Sequence, residues 1–228
     1  MIRYFAMLTR LPQVAPQVFH DHWRHPHATY GSLIPGIRTY VQAHQIHTDL
    51  LDADQATHEA ISVIEFDSVA EARGLVSERQ YYDRILPDEP LFLDKSKIEN
   101  FATEEEVLVA RPRPQDGASY GDAQWYHLDR SVTIQLLQFV RLDGNPGWAG
   151  NDDADLGRRI GALRHVRNHP SREFHGDNPT FLGARQLWWP TRTAFEDGVA
   201  ADPEAFTELV GRGGHALTVL VQSERFVR

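Results

Sequence analysis

The sequence predicts an α+β fold in which two tandem ferredoxin-like βαββαβ repeats form an α+β barrel. The length of 228 residues suits two domains of about 100 residues each. The order of strands and helices recurs, and a segment rich in Pro and Gly divides the chain almost in half. We therefore expect an N-terminal repeat at 1–112, a linker at 113–124 and a degenerate C-terminal repeat at 125–228.

The first half follows the order strand, helix, strand, strand, helix, strand. Pro16 suits the first position of a helix, and Phe19 and Trp23 lie four residues apart on it. Ser68 and Glu71 have the spacing of a capping box, which predicts the start of the second helix. The predicted elements are residues 2–10, 16–25, 37–46, 60–66, a helix from 68 onward, and 105–110.

The second half repeats this order less regularly. Its predicted elements are residues 132–142, 155–160, 163–169, 181–189, a helical pair at 191–199 and 203–211, and 215–222. Segment 163–169 resembles segment 38–44, which aligns Arg167 with Gln42 and His169 with His44. An internal repeat of this kind indicates a duplicated domain. Two open sheets, each with a bare apolar face, can cover one another by closing a barrel.

Composition excludes several classes of function. The net charge of −9 is unfavourable for binding nucleic acid, which requires clustered cations. No apolar run approaches the ~20 residues of a membrane span. The absence of cysteine excludes thiolate metal sites and cysteine nucleophiles. We expect a cytoplasmic protein that acts on a small molecule without a nucleic-acid or membrane partner, and a homodimer is left open.

A group of spaced motifs resembles the EthD family. The motifs are Phe19-His-Asp-His-Trp23, then His27, then the segment LIPGIRTYVQAH at 33–44 and the acidic segment at 103–106. The resemblance covers about residues 1–110 and implies a dimeric α+β barrel, here as a tandem member. It also implies diverse activities: polyketide dehydratases and decarboxylases, isomerases and quinol oxygenases in sister families, and accessory degradation proteins.

Strand periodicity predicts a polar row beneath the first helix. Alternate side chains of a strand face opposite sides, so one face of the strand at 37–46 is apolar and suits a barrel interior. The other face would point to the helix layer, where buried polar groups need partners or a ligand. This polar face carries Arg38, Tyr40, Gln42 and His44. His27, at the end of the first helix, is expected to approach His44 across the same pocket.

The polar row suggests acid–base chemistry. His27 and His44 titrate near neutrality and could act as general acid and base, while Tyr40 and Gln42 could donate to a developing enolate oxygen. This set predicts a dehydratase-like lyase or an isomerase that acts on an aromatic or polyketide-like carbonyl compound without cofactor or metal. The candidate substrate-binding residues are Trp23, Phe19, Arg38, His169 and Arg167.

Several alternatives stay open at this point. His44 could serve only as a satisfied structural histidine, and Phe19 and Trp23 could belong to the core. His20, His22 and His25 are expected on exposed helix faces, and their spacing does not favour a metal site. The competing functions are a non-catalytic binding or accessory protein that uses the same pocket, and a haem or metal protein on the same barrel.

Overall fold

The computed structural model describes residues 1–51, 58–110 and 132–227. In these residues eight strands close one antiparallel barrel. The strands are β1 (Ile2–Leu8), β2 (Thr39–Gln45), β3 (Ala60–Phe66), β4 (Glu99–Val109), β5 (Val132–Val140), β6 (Arg164–Pro170), β7 (Gly183–Trp189) and β8 (Ala216–Val227). Around the barrel they run in the order β1-β3-β2-β8-β5-β7-β6-β4.

The two halves of the barrel have the same strand order. In the first half the order is β4-β1-β3-β2, and in the second it is β8-β5-β7-β6. The pairs β2–β8 and β4–β6 join the two sheets. The predicted fold of two ferredoxin-like units in one barrel is therefore confirmed. One chain supplies every strand of the closed barrel, while the predicted linker at 113–124 lies outside the described residues.

Short helices cover the outer face of the barrel. They are α1 (Pro16–His22), α2 (Ala28–Ser32), α3 (Val69–Gly74), α4 (Leu86–Asp88), α5 (Asp153–Arg159), α6 (Arg172–His175), α7 (Arg192–Ala201) and α8 (Pro203–Gly211). The capping box at Ser68 and Glu71 is present at the start of α3. Within 1–51, 58–110 and 132–227, no helix has the length and apolar character that a bilayer crossing requires.

The barrel interior is a packed apolar core. Val41 and Ala43 of β2 point into it, where they join Phe5, Phe101 and Phe139 from three other strands. This confirms the alternation predicted for β2, whose polar side chains face the helices instead. Strand β4 begins at Glu99, six residues before the predicted start, because its first part pairs with β1 and its later part with β6.

Buried ion pairs and aromatic packing fill the helix layer of the second half. Arg167 donates to Asp153 at 3.0 Å, and the fully buried Arg185 also donates to Asp153 at 3.0 Å. The carboxylate of Asp153, in the first turn of α5, neutralises both arginines. Charges removed from water this completely persist only when they are paired.

His165 on β6 lies fully buried beneath α5. The helix can approach because residue 157 is Gly: a Cβ there would lie 2.7 Å from His165 Nδ1. Burial, together with the charges of Arg185 and Arg167, lowers the pKa of His165 to about 3. In an unfolded chain the pKa of histidine is about 6.5. At pH values between these two pKa values, the unfolded state binds more protons than the folded state. The free energy of unfolding therefore decreases as the pH is lowered.

We expect His165→Gln to reduce the acid sensitivity of the fold. Between about pH 7.5 and pH 5, wild type should lose roughly 1–2 kcal/mol more stability than the variant, because only wild type carries this suppressed titration. Urea unfolding at both pH values measures the difference. His47→Gln, at an exposed position, serves as the control. Equal acid sensitivity of wild type and His165→Gln would contradict the lowered pKa of His165 in the folded protein.

Candidate active site

A cavity of about 320 Å³ lies between the first-half sheet and the helices that cover it. This volume is at the lower end of the ~300–1,000 Å³ range of small-molecule pockets and suits a compact ring system. The walls are mainly aliphatic, and the polar lining residues are Tyr4, His27, Tyr40, Ser62, Tyr81, Glu89, Lys95 and Asn100. A larger cavity at one end of the barrel has no histidine in its described lining.

A break in the first helical segment positions His27. The predicted helix at 16–25 ends as α1 at His22, and the backbone of His25 is extended (φ −148°, ψ 118°) before Pro26. The chain then resumes as α2, with the N–H of Ala28 donating to the carbonyl of Trp23. This break turns the buried His27 toward the cavity, which could not be read from helical periodicity alone.

His27 forms a hydrogen-bonded pair with Asp88 of α4. Its Nδ1 lies 2.8 Å from Asp88 Oδ2. Because a carboxylate only accepts, Nδ1 carries the hydrogen, and in the neutral ring Nε2 keeps its lone pair. In the described part of the chain Nε2 has no hydrogen-bond partner, and His27 lines the cavity. The arrangement has the features of a general base oriented by a carboxylate.

The carboxylate of Asp88 is charged although it is buried. Burial alone would raise the pKa of Asp88, but hydrogen bonds from His27 and His22 and their charges hold it below its usual value. His22 Nε2 lies 2.8 Å from Asp88 Oδ1. A fixed negative charge of this kind stabilises the imidazolium that forms when His27 accepts a proton. Sequence analysis did not identify Asp88 as the partner of His27. It also placed His22 on an exposed helix face, whereas His22 contacts Asp88.

Tyr40 lines the cavity, whereas Gln42 supports it from behind. Gln42 Nε2 donates to Tyr40 Oη at 2.9 Å and to the carbonyl of Trp23 at 2.7 Å. Gln42 thereby ties the tyrosine to the helix break. Gly31 of α2 permits close contact with the ring, because a Cβ would lie 2.8 Å from Tyr40 Cε1. Burial raises the pKa of Tyr40 to about 12, so the phenol remains a hydrogen-bond donor at neutral pH.

His44 does not converge with His27 on the cavity. It faces the helix layer as expected from alternation, but its Nδ1 lies 2.9 Å from Nδ1 of His20, and its ring packs 4.6 Å from that of Trp23. Burial, with the nearby charge of Arg24, lowers the pKa of His44 to about 3. His44 is thus a neutral imidazole that is paired with His20. The prediction that His20 lies on an exposed helix face is wrong, because its ring contacts His44.

A second polar group lies along the cavity wall. Tyr81 donates to Glu89 at 2.9 Å, and Lys95 Nζ lies 2.6 Å from the same carboxylate. Burial, together with the charge of Glu89, raises the pKa of Tyr4 to about 12. The cavity therefore combines a base at His27 with phenolic donors and an ion pair, set among aliphatic walls.

The remaining predicted site residues lie away from the cavity. Phe19 and Trp23 are fully buried and pack against Phe92 and Leu8 in a core cluster. Arg38 is an exposed partner of Asp67 on the surface. In the second half, His169 pairs with Glu106 at 2.7 Å on the surface, and Arg167 belongs to the buried ion pairs. None of these five side chains lines the cavity that is lined by His27.

No described group of three or more histidine, aspartate or glutamate residues is arranged to hold a metal ion. The histidines at the first helix instead have separate partners: His20 contacts His44, and His22 contacts Asp88. The haem alternative stays a prediction.

The comparisons with known proteins point to the same fold. The EthD domain model matches residues 11–96. An anthrone oxidase-like protein of known structure is 14% identical, with a TM-score of 0.59 over 100% of this chain and 93% of its own. A candidate monooxygenase from Fusobacterium nucleatum is 8% identical, with a TM-score of 0.52 over 98% of this chain and 91% of its own. No curated protein matches the sequence.

These neighbours correct the predicted reaction class. The sequence suggested a dehydratase-like lyase or an isomerase, with a non-catalytic carrier as an alternative. The neighbouring structures are instead named as an oxidase-like protein and a candidate monooxygenase, and these names point to oxidative enzymes. The lyase and carrier predictions are therefore wrong. The acid–base reasoning failed here because a base beside a cavity does not by itself distinguish elimination from oxidation.

Proposed function

We propose that this protein is an oxidative enzyme, an oxidase or monooxygenase that acts on a compact hydroxyaromatic compound. The observation that carries the proposal is the position of His27 at the cavity, where Nδ1 is fixed on Asp88 and Nε2 has no hydrogen-bond partner among the described residues. The names of the structural neighbours support the oxidative class. The cavity volume and its aliphatic walls support a small aromatic substrate.

In the proposed reaction, His27 removes the proton of an aromatic hydroxyl group. Nε2 accepts the proton, and the imidazolium stays paired with the charged Asp88. Tyr40 remains protonated and can donate to the aromatic oxygen. Deprotonation makes the ring electron-rich, which favours attack on dioxygen as the oxidant. The cavity positions the ring, and its aliphatic walls exclude bulk water.

The overall reaction balances with dioxygen as the co-reactant. The ring carbon opposite the hydroxyl loses its hydrogen and gains one oxygen atom, so that a new carbon–oxygen double bond forms. The hydroxyl hydrogen and the ring hydrogen leave with the second oxygen atom as one water molecule. The substrate is oxidised to a quinone-type product, and dioxygen is reduced.

Oxygen consumption tests this proposal. We expect wild type to accelerate oxygen uptake with 1-naphthol or with anthrone, which reacts through its hydroxyaromatic tautomer, with one dioxygen consumed for each quinone-type product formed. Binding of both probes is followed in parallel by quenching of their fluorescence under anaerobic conditions. Binding of both probes, with oxygen uptake at the uncatalysed rate, would contradict the proposal. So would conversion that proceeds equally well without oxygen.

A further inference from the structure

His22 approaches the same carboxylate as His27, but from the solvent side. The two imidazoles divide the oxygens of Asp88: His27 Nδ1 takes Oδ2 and His22 Nε2 takes Oδ1, each at 2.8 Å. Asp88 is buried, and the side chain of His22 is 26% exposed. The carboxylate is therefore held at both oxygens, with one contact toward the cavity and one toward water.

The break at His25 makes this shared arrangement possible. In an uninterrupted α-helix, residues five apart point about 140° away from each other. His22 ends α1 and His27 follows the break, so the 140° angle of a continuous helix does not apply to their two rings. Phe92 packs against both of them, with ring centroids 4.6 Å from His22 and 5.1 Å from His27. One carboxylate and one aromatic ring thus fix both imidazoles.

We propose that His22 is a positioning residue, which clamps the Asp88 carboxylate so that Asp88 holds His27 with its Nε2 lone pair toward the cavity. The proposal builds on the oxidative function assigned to His27 but concerns the orientation of the base. With a hydrogen bond at only one oxygen, the carboxylate is free to rotate about its side-chain bond. Its hold on the Nδ1–H form of His27 then weakens, and a fraction of the rings presents N–H instead of a lone pair to the substrate.

The test compares two substitutions that differ in hydrogen-bonding capacity. His22→Leu removes the donor to Asp88, whereas His22→Gln retains an N–H donor on a side chain of similar reach. The exposed position His47, which lies outside the helix break, supplies the control variant His47→Leu. Proton–nitrogen correlation spectra of the imidazole rings report which nitrogen of His27 carries the hydrogen. This readout requires no substrate.

We expect His22→Leu to increase the Nε2–H form of His27 and to lower kcat by roughly 3–10-fold, with KM changed less than twofold, as for lost orientation of a base. His22→Gln should restore both the spectrum and kcat, and His47→Leu should match wild type. An unchanged His27 spectrum in His22→Leu would overturn the proposal. Equal losses in His22→Gln and His22→Leu would also overturn it, since they would indicate a packing defect. Failure of oxygen uptake would overturn the oxidative function alone.

Discussion

His27→Gln is expected to lower kcat/KM for hydroxyaromatic oxidation by about 10²–10⁴-fold, the usual contribution of a general base. Gln retains polar atoms and similar size but cannot accept the substrate proton. The structural reason is the position of His27, whose Nδ1 is bound to Asp88 while the ring lines the cavity. Steady-state oxygen uptake measures the loss with whichever of anthrone or 1-naphthol wild type oxidises.

The control for this substitution is His47→Gln, which alters an exposed histidine outside the helix break. It should retain wild-type kcat/KM. Thermal unfolding and anaerobic affinity for 1-naphthol should be similar in all three proteins, because the cavity walls are unchanged. Retention of more than about a third of wild-type activity in His27→Gln would exclude this residue as the base.

Asp88→Asn is expected to lower kcat/KM by about 100-fold, because it removes the negative charge that faces the imidazolium formed at His27. The amide can still bond both rings: its oxygen accepts from His27, and its N–H₂ group donates to His22 if that ring changes tautomer. The fold should therefore be retained, and the decrease in kcat/KM should reflect only the missing negative charge. Steady-state kinetics with the same substrate measure it.

The double variant His27→Gln/Asp88→Asn distinguishes a shared role from two separate ones. If Asp88 acts only through His27, the double variant should be no less active than His27→Gln alone, because residues that act as a unit are strongly non-additive. Losses that multiply would show that Asp88 acts elsewhere. Asp177→Asn, at an exposed position that does not line the cavity, serves as the charge-matched control.

Much of the fold was readable from the sequence because its signals are local. Alternation on β2 separates Val41 and Ala43, which enter the core, from Tyr40, Gln42 and His44, which face the helices. The capping box at the start of α3 was also local. The repeated order of elements predicted two equivalent sheets, and pairing at β2–β8 and β4–β6 closes them into one barrel.

The candidate site was only partly readable, because its partners come from distant segments. Asp88 lies 61 residues from His27 in the short α4, which has no periodic signal. The alternation of β2 gave the correct face for His44, but it could not show that His20 would occupy the space beside that ring. Pro26 predicted the end of a helix, whereas the chain breaks and continues, and this change of direction decides where His27 points.

The most direct test is the visible spectrum of 4-nitrophenol bound without oxygen, at a pH below its own ionisation midpoint. If His27 acts as a base at the cavity, wild type should bind this phenol as the yellow phenolate, and His27→Gln should bind it as the colourless phenol. A bound phenol that stays colourless in wild type, or that turns equally yellow in His27→Gln, would contradict the role assigned to His27.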